Sequence, residues 1–417
     1  MSGFSFISTI ESVFELFISL LTEAWILKTL AFAILVGSIM TLIEDSGGIE
    51  GFVEYIENKK EYVTSARSSL MLSYIIGVVI FVESSITALI SGAVGKNLCD
   101  KHNVSRAKLA FVCDSTSAPI SSLIVLNGWG ALLLGLISAQ ISLGLIDGSE
   151  VDVLIDAILY NFYAMSALFV TFLSIYFNIN LGAMKESKPL HVKQQTNSAK
   201  SVSMYYMVLP ILLIVFFVFL FLYITGSGNI LNGSGSSSIF YTMLSTLVFT
   251  LFYFVGTKNM TLFSWSSSAL RGAKKLVPIA MILLFAFSIG KVTGELKTGF
   301  YLASLASENL SIYLLAGVIF LLSSLIAFST GTSWGTFSIM IPIAIPMAVG
   351  MDANVALCIG AVISGGVFGD HCSPISDTTI ISSMAAECDV VEHVKTQLPY
   401  ALISGLVALT LFILFSL

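Results

Sequence analysis

Charged side chains are scarce in this chain of 417 residues, at 11% of the total, against about 25% in an ordinary soluble domain, while hydrophobic residues supply 56%. With a mean hydropathy of +0.94, that deficit excludes a soluble globular protein and leaves an integral membrane protein. The alternation over about 10 residues that barrel strands require is missing. Apolar segments of about 20 residues fit helices crossing a bilayer core roughly 30 Å thick, so the fold class is all-α and polytopic. Cysteine is sparse and odd in number. Cys99, Cys113, Cys358, Cys372 and Cys388 mostly fall in apolar stretches, with no CxxC pair or metal-ligand spacing, and read as small hydrophobes. The first 21 residues lack a basic n-region and a small-residue cleavage site, so they read as a retained first helix. The net charge of -6 says little about partners, because in a membrane protein the distribution of charge between loops matters more than its sum. The bilayer is the expected partner, and nucleic acid is not.

What is present is a series of apolar runs with polar interruptions. After two spans, the second ended by Glu44, Asp45, Gly47 and Gly48, residues 69–94 are apolar except for Phe81-Val82-Glu83-Ser84-Ser85. The loops on either side are basic, with Lys59, Lys60 and Arg67 before and Lys96, Lys101, His102, Arg106 and Lys108 after. Cytoplasmic loops carry such an excess, so the segment leaves and returns on one side as a re-entrant hairpin with arms of about 12 residues, too short to cross. A single crossing helix with a buried polar kink is the alternative. Residues 109–145 are broken by Asp114-Ser115-Thr116-Ser117-Ala118-Pro119-Ile120-Ser121-Ser122, and Pro119 predicts the helix break. Asp147, Glu150 and Asp152 mark an outside loop, and Lys185, Lys188, Lys193 and Lys200 an inside one. A Gly- and Ser-rich tract over 226–238 reads as an external linker. Lys258, Arg271, Lys274 and Lys275 then mark a cytoplasmic loop anchored by Trp265. The N-terminus is placed in the cytoplasm and the C-terminus outside, in the cell membrane.

The second half repeats this plan. Residues 312–350 are interrupted by Ser329-Thr330-Gly331-Thr332-Ser333-Trp334-Gly335-Thr336, and residues 356–386 by Asp370 to Thr379. Ala118-Pro119-Ile120-Ser121 matches Ser373-Pro374-Ile375-Ser376, with Pro374 as the second predicted helix break. An odd offset in the count of about nine crossings inverts one half relative to the other. The expected organisation is a first repeat over 1–203, a linking span and external loop over 204–237, and a second repeat over 238–417. Inverted repeats with matching broken helices point to a secondary transporter with its site near the midplane. Ser/Thr/Gly-rich breaks also occur in plain helix packing interfaces, but four in a two-by-two arrangement, three of them with carboxylates, favour a site.

The stretch Gly369-Asp370-His371-Cys372-Ser373-Pro374-Ile375-Ser376-Asp377-Thr378-Thr379 continues to Cys388-Asp389 and to His393-Val394-Lys395-Thr396-Gln397-Leu398-Pro399-Tyr400-Ala401. It resembles the C-terminal signature of NhaC-type sodium/proton antiporters, and Phe81-Val82-Glu83-Ser84 and Asp114-Ser115-Thr116 resemble that family's first-half motifs. The resemblance implies the larger ion-transporter superfamily: a scaffold domain, a mobile transport domain bearing two hairpins, an elevator-type alternating access and a homodimer. It implies no cofactor beyond Na+ and H+ as transported or coupling ions. Relatives of the same architecture carry organic anions or amino acids.

Na+ prefers hard oxygen ligands, which Asp370, Ser373, Ser376, Asp377, Thr378 and the carbonyls freed around Pro374 supply. A desolvated carboxylate takes up a proton when the metal leaves, so competition of Na+ and H+ for one carboxylate set is enough for exchange. Asp370 and Asp377 are the candidate cation and proton carriers, with Na+ at both. Asp114, Ser115 and Thr116 build the symmetry-related half, and Glu83, Thr332 and Ser333 close the hairpin tips. Each has a plainer alternative: Asp377 as a helix cap, Asp114 as a cap or ion-pair partner, Glu83 in a salt bridge to Lys291. His371 is a proton relay or a hydrogen-bonded structural histidine, while His102, His191 and His393 read as solvated loop residues. The rival function is Na+- or H+-coupled transport of a small organic anion or amino acid. An intramembrane aspartyl protease is a remote alternative, on the similarity of Gly369-Asp370 to a Gly-Asp active site, and a Ser-His hydrolase has no better support. The expectation is a carrier and not an enzyme.

Overall fold

The computed structural model describes residues 6–58, 63–81, 84–125, 127–189, 202–228, 233–296, 301, 304 and 310–417, and every regular element among them is helical. In order they are α1 (Phe6–Thr22), α2 (Ala24–Asp45), α3 (Gly48–Asn58), α4 (Ala66–Val79), α5 (Ser84–Lys101), α6 (Arg106–Leu123), α7 (Gly128–Ser142), α8 (Glu150–Ile158) and α9 (Phe162–Tyr176). A 3₁₀ turn (Gly182–Lys185) follows, then α10 (Tyr205–Thr225), α11 (Gly235–Gly256), α12 (Leu262–Glu295), α13 (Ile312–Thr330), α14 (Ser333–Gly350), α15 (Val355–Cys372), α16 (Asp377–Ala386) and α17 (Val390–Phe415). Seven of these helices are long and apolar enough to cross a bilayer, and nine spans result if the bent pairs α6–α7 and α8–α9 each count as one. In lipid every backbone polar group must be satisfied within the protein, which is why every regular element described in so apolar a chain is a helix.

Helix α2 lies along α12, joined by α10 and α11, while α5, α6 and α16 pack together and α13 lies along α15. The α2–α12 crossing is close because both sides lack a side chain. A Cβ on Gly37 would stand 2.3 Å from Gly272 O, and one on Gly272 would stand 2.1 Å from Gly37 O.

At both places where a re-entrant hairpin is expected, two helices pack on one another, α4 with α5 and α13 with α14, and their arms are longer than the sequence suggests. The first has 14 and 18 residues, against about 12 expected. The second has 19 and 18, each long enough by itself to cross. The region expected as a basic cytoplasmic loop, 258–275, is largely helical, since α12 runs unbroken over 34 residues through Arg271, Lys274, Lys275 and Pro278.

Pro119 does not break its helix. Helix α6 runs through it, and the interruption falls instead at residues 124–127. The reason is where the freed backbone groups find partners. Asn127 Nδ2 donates to Ser121 O (2.8 Å) and Phe81 O (3.0 Å), while its Oδ1 accepts from the N–H groups of Trp129 and Gly130 (2.9 and 3.0 Å). One side chain thus terminates α6 and caps α7, and the break is least costly there. Pro374 does lie in a break, at 373–376, between α15 and α16.

Candidate functional site

Four helices begin at one cavity of about 140 Å³: α5 at Ser84 and Ser85, α7 at Gly128 and Trp129, α14 at Thr332 and Ser333, and α16 at Asp377 and Thr378. Three of these starts have a local cause in a capping side chain. Asn127 caps α7, Thr332 Oγ1 accepts from Gly335 N (3.4 Å) to cap α14, and Ser376 Oγ accepts from Thr379 N (3.3 Å) to cap α16. Gly331, in the left-handed region at φ 68°, turns the chain from α13 into α14; a Cβ there would stand 2.6 Å from Ile375 O, so the hairpin tip presses on the α15–α16 break. The remaining wall comes from Val36, Met40 and Glu44 of α2, Leu276 of α12 and Trp334.

Asp370, in the last turn of α15, is 1% exposed. Its Oδ2 accepts from Ser333 Oγ (2.8 Å) and Thr378 Oγ1 (3.4 Å), and its Oδ1 has no hydrogen-bond partner. Asp377 is exposed to the cavity, and its Oδ1 accepts from the N–H of Thr378 (2.8 Å). It stands at the first position inside α16 rather than capping it, since the cap is Ser376. The electrostatics are two-sided. Helix N-termini carry partial positive charge, and the wall offers three carboxylates, Glu44, Asp370 and Asp377, with no lysine or arginine among the described residues. Among the described residues no group of three or more His, Cys, Asp or Glu is disposed to hold a metal ion. A cation here would be held by one or two carboxylates with hydroxyl and carbonyl oxygens, a donor set that suits a hard cation.

The residues anticipated from the sequence divide into those at the cavity and those away from it. Asp370, Asp377, Thr378, Thr332 and Ser333 line it together. Ser376 and Ser373 support it from behind, Ser373 Oγ donating to Phe328 O (2.8 Å). Glu83 lies outside the described residues, as does His191. Thr116 Oγ1 donates to Val112 O (2.7 Å) within α6 and packs where Gly77 has no Cβ, and Ser115 is buried away from the cavity. Asp114 is wholly buried elsewhere, accepting from Gln397 Nε2 (2.7 Å), Thr379 Oγ1 (3.2 Å), Ser382 Oγ (3.3 Å) and His393 Nε2 (3.4 Å). His393 is therefore not a solvated loop residue; it is 0% exposed in the first turn of α17. His371 bonds Tyr163 OH through Nδ1 (2.9 Å) and does not line the cavity. Lys291 Nζ donates to Ser19 Oγ (2.8 Å). Glu44, Trp129 and Trp334 are cavity residues that the sequence did not single out; Glu44 followed a span and read as its end.

Gly331-Thr332-Ser333-Trp334-Gly335 has the GxSxG spacing of a hydrolase nucleophile, but the hydrogen bonds of Ser333 Oγ go to Asp370 Oδ2 and Gly366 O (3.2 Å). It lies between two helices, not in a strand–turn–helix elbow.

Apolar helices long enough to span a bilayer, interrupted where polar side chains gather on one cavity, define a polytopic membrane transporter. The chain belongs to the Na+/H+ antiporter family, whose sequence profile matches residues 127–417. A Haemophilus influenzae protein is 32% identical over 392 residues, spanning 89% of this chain and 75% of that one. The malate-2H(+)/Na(+)-lactate antiporter of Bacillus subtilis is 35% identical over 121 residues, 28% of this chain and 25% of its own. The crystal structure of the YdaH transporter of Alcanivorax borkumensis superposes with a TM-score of 0.64 at 12% identity, covering 98% of this chain and 88% of that one, which shows a shared fold. Together these findings support a secondary antiporter.

Proposed function

We propose that the protein exchanges Na+ for H+ at the cavity of Asp370 and Asp377, by competition of the two ions for these carboxylates. The observation that carries this reading is the lining itself: Asp370 and Asp377 with Thr332, Ser333 and Thr378 hydroxyls beside them, Glu44 as a third carboxylate, an unpaired Asp370 Oδ1, and no basic side chain among the described residues. A bound cation supplies the missing partner of Asp370 Oδ1, and a proton replaces it when the cation leaves. The two hairpins and two interrupted helices act as inverted repeats, forming with α17 a transport unit that moves in elevator fashion against a scaffold of α2 and α10–α12, in a homodimer. The cavity wall of α2 and α12 is then the surface against which the unit slides. The loops rich in lysine and arginine lie in the cytoplasm.

A second reading has a specific observation in its favour. Four helix N-termini at one cavity suit the carboxylate of a small organic anion or amino acid, and the relative named for malate and lactate exchange accords with that cargo. Proteoliposomes loaded with a pH indicator separate the two. Na+, Li+ or K+ gradients are imposed with and without malate, lactate or amino acids. Proton movement evoked by Na+ alone supports the exchanger, and a requirement for an organic solute supports the second reading.

A further inference from the structure

Away from the cavity, the chain buries a second carboxylate whose surroundings the cavity does not explain. Asp114 accepts four hydrogen bonds, three of them from the neutral side chains of Thr379, Ser382 and Gln397 and the fourth from His393 Nε2. So many donors hold a carboxylate in its ionised form. His393 Nδ1, fully buried, has no partner. A carboxylate and an imidazole thus meet in a fully buried place, and the ring nitrogen turned away from Asp114 is left without a partner in the protein.

Other titratable groups face Asp114 from the elements around it. They are Cys113 on its own helix α6, Tyr163 on α9, Asp370, His371 and Cys372 on α15, and Asp377 on α16. The acids among them disfavour a further negative charge, and His371 is engaged with Tyr163. His393 is itself fully buried, but it directly follows Glu392 and lies one turn on from Asp389, and both of these line an open cavity of about 350 Å³.

We infer that Asp114 and His393 form a second proton-binding site, separate from the cation cavity and linked to it through α16. The link is two consecutive residues on that helix: Thr378 donates to Asp370 in the cavity and Thr379 to Asp114. A bound cation that fixes α16 with Thr378 on Asp370 also fixes Thr379 and Ser382 on Asp114, which favours the ionised carboxylate and releases the pair's proton, so the charge states of the two sites change together. The inference rests on the cavity reading above and adds a proton to each cycle beyond those of Asp370 and Asp377.

The test counts protons. Purified protein in weakly buffered detergent solution is titrated with Na+, the bound cation is measured with ²²Na+ and the released protons with a pH indicator. Asp114→Asn and His393→Gln should still bind Na+, releasing about one proton fewer per bound cation than the wild type. His393→Gln keeps an amide donor for Asp114, so it decides the matter should Asp114→Asn fail to fold. An unchanged proton count in the folded variants overturns the second site. Asp370→Asn is the separate control: Na+ binding should be lost, and its survival would overturn the cavity reading instead.

Discussion

Thr378 and Thr379, neighbours in the first turn of α16, donate to different buried carboxylates, Thr378 Oγ1 to Asp370 at 3.4 Å and Thr379 Oγ1 to Asp114 at 3.2 Å. Side chains one residue apart on a helix point about 100° apart, so a ten-residue helix separates two polar compartments and touches both. The short helix can do this because breaks free both its ends: Ser376 caps it at one, and Glu387, in the left-handed region at φ 51°, closes it at the other.

Ser333 holds the cavity carboxylate in place. Its hydroxyl is the shortest hydrogen bond to Asp370, and a hydrogen bond to a charged group contributes about 1.5–3 kcal/mol. Ser333→Ala should therefore weaken apparent Na+ affinity in proteoliposome exchange by roughly 10-fold or more, with the fold retained. An unchanged affinity would remove Ser333 from the site.

The α2–α12 crossing depends on two missing side chains. Gly37→Val would drive a branched side chain into Gly272 O, already 2.3 Å from where a Cβ would stand. Overpacking of this kind costs roughly 1–3 kcal/mol, so the thermal midpoint in detergent should fall. The same substitution at Gly256, where a Cβ meets nothing within 4 Å, should leave the midpoint nearly unchanged.

Acid should expose a surface contact at the end of α16. The hydrogen bond from Lys96 lowers the Glu387 carboxyl below its ordinary range, and Arg106 adds to this. A depressed carboxyl contributes stability above the ordinary range that is lost as pH falls through its folded value. Because Glu387 is 57% exposed, solvent screening keeps the contribution within about 1 kcal/mol. Glu387→Gln should be slightly less stable than wild type in thermal unfolding at pH 7, and the difference should close below about pH 4.

Much of this was readable in the sequence where a single physical cause dominates. Apolar length marked the spans, and the polar interruptions marked where α4 gives way to α5, where α13 gives way to α14, and the break at Pro374. The cavity residues Asp370, Asp377, Thr378, Thr332 and Ser333 followed from the cost of ionisable groups at depth. Pro119 misled because a helix can carry a proline when neighbouring elements satisfy the freed groups, and Asn127 moved the break eight residues on. His393 misled because Cys388 to Lys395 is polar and reads as loop. The signal that could have found it is helical spacing: His393, Gln397, Tyr400 and Ser404 form a buried stripe along α17. Where Asp114 would go was not legible, since its partners come from residues more than 260 positions later in the chain.

The most direct test of the account is Na+-driven proton movement in proteoliposomes containing Asp377→Asn, with folding checked by thermal unfolding. Asparagine keeps the size of the side chain exposed to the cavity and the oxygen that accepts from Thr378 N, and removes only the charge and the titratable proton. The account predicts that exchange is lost in a folded protein; exchange at the wild-type rate would contradict it.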